Sequence, residues 1–171
     1  MNSIPNSESN GGGDGMRERR RLGTQIKADL RALSNQISLL NHQVSARVEM
    51  KDIDLDCLDL LAQHGAMSPS ALARRTGLHP ATITGILDRL ERGGWIARAR
   101  DENDRRAVVI EPLRARNSEL YGLYSGMNGS LDAIIADYDE AQLALLADFL
   151  HRSIDAGVDA TAALASPPDT P

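Results

Sequence analysis

Apolar residues recur along most of this chain at helical intervals. Ile26, Leu30, Leu33, Ile37, Leu40 and Val44 are spaced 4, 3, 4, 3 and 4 apart, the narrow seam of a helix that packs lengthwise on another. Ile53, Cys57, Leu58, Leu60 and Leu61 predict a second helix over 52–64 that stops at Gly65, a usual residue just past a helix end. Ser68 can then cap a third helix, Pro69 suits its first position, and Gly77 closes it after barely two turns. A fourth begins at His79-Pro80 and buries Ile83, Ile86, Leu87 and Leu90 before Gly93-Gly94 ends it. Histidine is not among the preferred caps, so this start is less well capped than that at Ser68. Two short helices joined around Gly77 make a helix-turn-helix pattern.

The period changes at Trp95. Residues 95–100 alternate and Ala107-Val108-Val109-Ile110 is rich in β-branched side chains, with 101–106 as the only place for a turn; a hairpin is predicted, with a charged tip. Helical spacing then returns. Leu120, Leu123, Tyr124, Met127, Leu131, Ile134 and Ile135 form one stripe, and after a break near Asp139 a second runs through Leu143, Leu146, Leu150 and Ile154. Asp139 with Gln142 three residues on is a capping pair for this last helix. The ends, 1–16 and 157–171, are Gly-, Ser- or Pro-rich with little to bury and are read as disordered tails.

The fold class is therefore mainly α with a small β-hairpin wing. A winged helix-turn-helix domain over 51–112 is flanked by an N-terminal helix over 17–50 and C-terminal helices over 113–156. Those flanking helices offer more apolar surface than a small winged helix covers alone, and they are read as dimerisation helices; an intramolecular three-helix bundle is the competing account.

Composition adds a compartment. No window approaches the roughly 20 apolar residues of a membrane span, and the N-terminus is polar, so the chain is read as cytoplasmic and not membrane-bound. The single cysteine, Cys57, cannot form an internal disulfide. Charge changes the picture more. The net charge is −5 and the pI about 5.3, yet residues 68–116 hold ten arginines against six acids. Local potential, rather than the total, decides whether a polyanion is attracted to a face.

If Ile83, Ile86, Leu87 and Leu90 face the core, then Ala81, Thr82, Gly85, Arg89 and Arg92 face outward, because a helix advances about 100° per residue. That face suits a major groove. Thr82 and Thr84 can meet base edges, and Arg89 sits where a phosphate would lie. Gly85 weakens the helix by about 1 kcal/mol relative to Ala, which reads either as close backbone approach to DNA or as a tolerated surface glycine. Ser68 and His79 are further phosphate candidates, although a solvent-exposed cap is an equal reading of His79. At the hairpin tip Arg105 is the candidate for insertion into a narrow, electronegative minor groove, flanked by Arg98 and Arg100. Asp101, Glu102 and Asp104 would repel DNA if free, so some must pair within the wing.

The stretches LARRTGLHPATITGILDRLERGGWIAR, Leu72 to Arg98, and DENDRRAVVI, Asp101 to Ile110, resemble the MarR family of transcriptional regulators. The wing carries that family's Asp-x-x-Asp-Arg-Arg signature in full. The resemblance implies a homodimer that binds a pseudo-palindromic operator in double-stranded DNA as a ligand-responsive repressor. The helix over 80–92 would lie in the major groove and the wing over 101–106 in the minor groove. It also implies that Arg106 pairs with Asp88 and braces the wing together with Asp104, and that a small anionic or aromatic effector is held between winged helix and dimer helices. Spacing does not locate that pocket. One departure stands out: Glu111-Pro112-Leu113-Arg114 replaces the family's usual Leu-Thr-x-x-Gly start to the next helix.

Other functions fare less well. His42, His64, His79 and His151 are dispersed, with no metal-ligand spacing and no phosphate-binding glycine loop, so neither an enzyme, a metal site nor a cofactor is expected. Cys57 could be a redox trigger or a buried structural thiol; its place among apolar residues favours the second. A winged helix that serves only as a protein adaptor would want an apolar recognition face and no basic tip.

Overall fold

The computed structural model describes residues 11–100 and 107–165. Its elements in chain order are α1 (Gly11–Arg47), α2 (Asp52–His64), α3 (Pro69–Thr76), α4 (Pro80–Arg92), β1 (Ile96–Arg100), β2 (Val108–Pro112), α5 (Arg114–Gly122), α6 (Ser125–Ile135) and α7 (Glu140–Ala165). The chain divides into two compact units, one ending at Asp52 and one beginning at Ile53.

The first unit is α1 and the turn that follows it. This helix starts at Gly11, within the stretch expected to be a disordered tail. Once a helix is nucleated each further residue adds a hydrogen bond, and Asp14 in the first turn faces the positive end of the dipole. Together these outweigh the poor propensity of the glycines. At the other end the Asp52 carboxylate accepts from the Ser45 hydroxyl and lies 2.9 Å from His42 Nδ1.

In the second unit α2, α3 and α4 surround an aliphatic core of Leu55, Leu58, Leu61, Leu72, Ile83, Ile86, Leu87 and Leu90, completed by Ile96, Ile110 and Leu120. Most come from stripes read in the sequence, while Leu55 and Leu72 join them from outside those stripes; removing such surfaces from water is the main stabilising term. Strands β1 and β2 pair antiparallel, with Arg98 opposite Ile110 and Arg100 opposite Val108. Ile110 also forms a two-way bridge with Met67, donating to its carbonyl at 2.8 Å and accepting from its amide at 3.3 Å. Met67 thus acts as a one-residue third strand that ties the wing to the start of α3.

Two further departures concern the C-terminal helices. The stripe from Leu120 to Ile135 belongs to two helices, because Leu123 and Tyr124 donate to carbonyls only three residues back. Gly122 and the Ser125-Gly126 pair flank the break and hold a helix weakly. Helix α7 runs to Ala165, beyond the expected end at 156. Ala160, Ala162, Ala163 and Ala165 are the best helix formers and carry it on to the edge of Ser166-Pro167-Pro168. The expected Asp139–Gln142 pair caps α7 reciprocally, each backbone amide donating to the other's side chain at 2.9 and 2.8 Å. No helix among the described residues is long and apolar enough to cross a membrane.

Candidate nucleic-acid interface

The turn between α3 and α4 is built by its ends. Ser68 caps α3, its Oγ accepting from Ala71 N–H at 3.2 Å, and Gly77 takes φ 68° beyond the helix, a left-handed conformation that costs glycine little. His79 caps α4 after all, with Nδ1 accepting from Ala81 N–H at 3.2 Å. That contact requires the ring proton to sit on Nε2 and point away from the helix. Both residues were also candidate DNA contacts; their first occupation is local.

Between the buried rows of α4 lies an open face. Ala81, Thr82, Thr84, Asp88 and Arg92 are exposed and Gly85 is half-buried. The Thr84 hydroxyl donates back to Pro80 O at 3.1 Å, so toward a base it offers an acceptor lone pair and a methyl group. Thr82 is solvent-facing and has no such bond. The face is small and polar at its start and cationic at Arg92, as the spacing implies.

Arg89 departs from expectation. Its Nε and Nη2 reach back to α2 and donate to Asp54 Oδ2 and Oδ1 at 2.9 and 2.6 Å. The Asp54 side chain is only 4% exposed and that of Arg89 37%. Hydrogen bonding to Asp54 holds the guanidinium firmly protonated. Sequence reasoning missed Asp54, although a signal existed: it lies four and seven residues before Leu58 and Leu61, on the buried stripe of α2. A carboxylate at such a position needs a cation.

Among the described residues the wing is braced by Arg98, which the sequence reading did not assign to that task. Arg98, on β1, donates to Asp88 through Nη2 and to Glu91 through Nη1, both at 2.5 Å. It therefore straps the wing's first strand to α4, and its charge is shared with two carboxylates. Register explains this: Arg98 points to the same side of β1 as Arg100, and α4 ends only a few residues earlier in the chain. Arg100 is exposed at the end of β1. Asp104, Arg105 and Arg106, assigned to minor-groove insertion and bracing, lie outside the described residues.

Behind the wing, Trp95 is 5% exposed. The Arg116 guanidinium sits 4.5 Å from its ring centroid and donates to Gly93 O, a cation–π contact that fixes the start of α5 against the end of α4. The unusual start of α5 is accommodated without a side-chain cap: Leu113 fills the position, and Asn117 donates to its carbonyl from both backbone and Nδ2, at 3.1 and 2.9 Å. Cys57 is fully buried, and burial with the nearby Asp54 and Asp56 charges pushes its thiol up to about 11. It is a structural thiol in this geometry. Among the described residues no three metal-ligating side chains converge.

Comparison with known proteins agrees with this arrangement. The MarR family model matches residues 54–108, from the buried Asp54 to the first residue of β2. The chain is 34% identical over 119 residues to the HTH-type transcriptional regulator YcgE of Bacillus subtilis, a match covering 69% of this chain and 77% of that protein. It is 30% identical to the HTH-type transcriptional repressor YetL of the same organism, over 53% of this chain and 57% of YetL. Among solved structures, a MarR family protein from Bacillus stearothermophilus shares the fold with a TM-score of 0.61 at 18% identity, covering 81% of this chain and 97% of that one. On the strength of these matches, the chain belongs to the MarR family of transcriptional regulators.

Proposed function

We propose that this regulator is a repressor that binds a pseudo-palindromic operator as a homodimer, placing α4 in the major groove and the wing over 101–106 in the minor groove. The observation that carries this reading is the division of α4 into a fully buried row, Ile83, Ile86, Leu87 and Leu90, and an exposed row, Ala81, Thr82, Thr84 and Asp88, ending at Arg92. Small exposed side chains at the start of such a helix let it approach base edges. Arg100 at the base of the wing and Arg105 at its tip supply the phosphate and minor-groove contacts. The similarity to YetL, described as a repressor, supports the direction of regulation.

Dimerisation is supported by apolar side chains that a lone chain leaves in water. Ile26, Leu33 and Ile37 on α1, Leu131, Ile134 and Ile135 on α6, and Leu146, Phe149, Leu150 and Ile154 on α7 are all exposed. A two-fold dimer covering them would set two recognition helices about 34 Å apart, one DNA turn.

A small effector has a candidate site. A cavity of about 340 Å³ is lined by Ala62 of α2, Pro112 of β2, and Arg114, Asn117, Ser118 and Tyr121 of α5. Its apolar walls with one arginine and one phenol suit an anionic or aromatic molecule.

Selection of bound sequences from random DNA tests the reading. We expect a palindromic consensus, and Thr82→Ala should relax the preferred base at one position per half-site while leaving the fold intact. Recovery of no consensus, with no duplex bound even at low salt, would overturn it in favour of a protein-contact role.

A further inference from the structure

Arg89 is a cation on the recognition helix whose nearest partner is an anion. The Asp54 carboxylate uses both oxygens on it, one on Nε at 2.9 Å and one on Nη2 at 2.6 Å, the forked geometry that gives arginine pairs their strength and direction. Because the Asp54 side chain is 4% exposed, its charge has little access to water and must keep its cation. Arg89 is tethered at its inner edge but open at its outer one. Its Nη1 lies 3.8 Å from where a Cβ at Gly85 would stand, so the open edge is next to the half-buried glycine of the recognition face.

A phosphate approaching this face meets an ion pair, whose field falls off faster than that of a lone cation. We propose that Asp54 is a positioning residue that sets DNA specificity: it withholds most of the Arg89 charge from phosphate and leaves only the edge opposite Nε, with Nη1 fixed beside Gly85, to meet the duplex. This rests on the reading of α4 as the groove-reading helix. Phosphate contacts raise affinity for every sequence alike through counterion release, whereas a fixed donor at one place helps only a duplex that fits. Restraining Arg89 therefore lowers binding to wrong sequences more than to the right one.

The test compares the full-length native protein with Asp54→Asn on two duplexes of equal length, a palindrome recovered by selection and its scrambled version, between about 50 and 200 mM salt. The variant should bind the scrambled duplex roughly 3- to 10-fold tighter at the low end, with a salt slope steeper by about 0.9 per protomer, one phosphate contact's worth. The ratio of palindrome to scrambled affinity should fall. Adding Arg89→Gln to Asp54→Asn should return the slope to its native value. A native slope and native scrambled affinity in a folded Asp54→Asn protein would overturn the proposal, as would a steepened slope that survives loss of Arg89.

A second measurement needs only the native fold. The Arg89 Nε–H resonance, assigned by its loss in Arg89→Lys, should keep its position and slow exchange when the palindrome is added. Its collapse into the freely exchanging arginines on DNA binding would show the tether released and overturn the proposal. Normal duplex binding with an inert Asp54→Asn sinks the tether alone, whereas no binding to any duplex sinks the DNA reading with it.

Discussion

Gly93 leaves no room for a side chain. A Cβ there would stand 2.6 Å from Trp95 Cδ1 and 2.8 Å from Nε1, so Gly93→Ala must push the indole out of its buried site. We expect a loss of about 1–3 kcal/mol, read as a fall in the thermal midpoint with the helical circular dichroism retained at low temperature. Cys57 makes a prediction of opposite character. With its thiol raised to about 11 by burial, it stays protonated at neutral pH, so operator binding should be unchanged by mild peroxide; loss of binding that reductant restores would show an accessible thiolate. Stability should also fall as pH rises from about 9 toward 11, because the unfolded chain releases a thiol proton there that the folded chain keeps. At this scale the sequence was most readable where a residue's task is local. Ser68 and the pair Asp139–Gln142 cap because their side chains reach amides three residues away. The pairing of Asp54 with Arg89, 35 residues apart, is a tertiary fact, and only the oddity of a carboxylate on a leucine stripe pointed toward it.

Among the elements, the strapped wing yields the most direct expectation. Arg98 joins β1 to α4 through Asp88 and Glu91, and these groups are a third or more exposed, so the strap adds little stability. Its loss should act on binding. Arg98→Gln should leave the unfolding free energy within about 1 kcal/mol of native while weakening affinity for the palindrome and leaving scrambled-duplex affinity nearly unchanged, measured by fluorescence anisotropy. A large loss of stability would mean that the strap supports the fold itself. The turn from α1 titrates in the other direction. Hydrogen bonds from Ser45 and then His42 hold the Asp52 carboxyl below its usual range, so their contribution is full above about pH 4. It is lost as pH falls through the lowered folded value. Element types were legible because apolar periods of 3.6 and 2 differ sharply; element ends were not. The break at Leu123–Tyr124 is marked only by the weak helix formers Gly122 and Ser125-Gly126, and the apolar stripe that continues through it hides them. Both α1 and α7 outrun the sequence reading because terminal turns cost little once a long helix exists.

At the scale of the whole molecule, the exposed apolar rows of α1, α6 and α7 call for a cover. The dimer reading expects a solution mass near twice 18.5 kDa, with Leu146→Glu or Leu150→Glu shifting it toward the monomer and abolishing preference for a two-half-site operator over a single half-site. A native protein that stays monomeric at micromolar concentration would refute it. Charge at this scale was legible only after division: the chain is acidic overall, yet its basic stretch coincides with the helix-turn-helix and wing. Trp95, the sole tryptophan in the sequence, sits under Arg116 at the point where α4, β1 and α5 meet. The molecule thus carries its own optical probe where the wing joins α4. Any shift of α5 against that junction, such as the proposed effector or duplex would set off, changes the distance between a quenching cation and the indole. Its emission intensity should then report the regulatory state without a label.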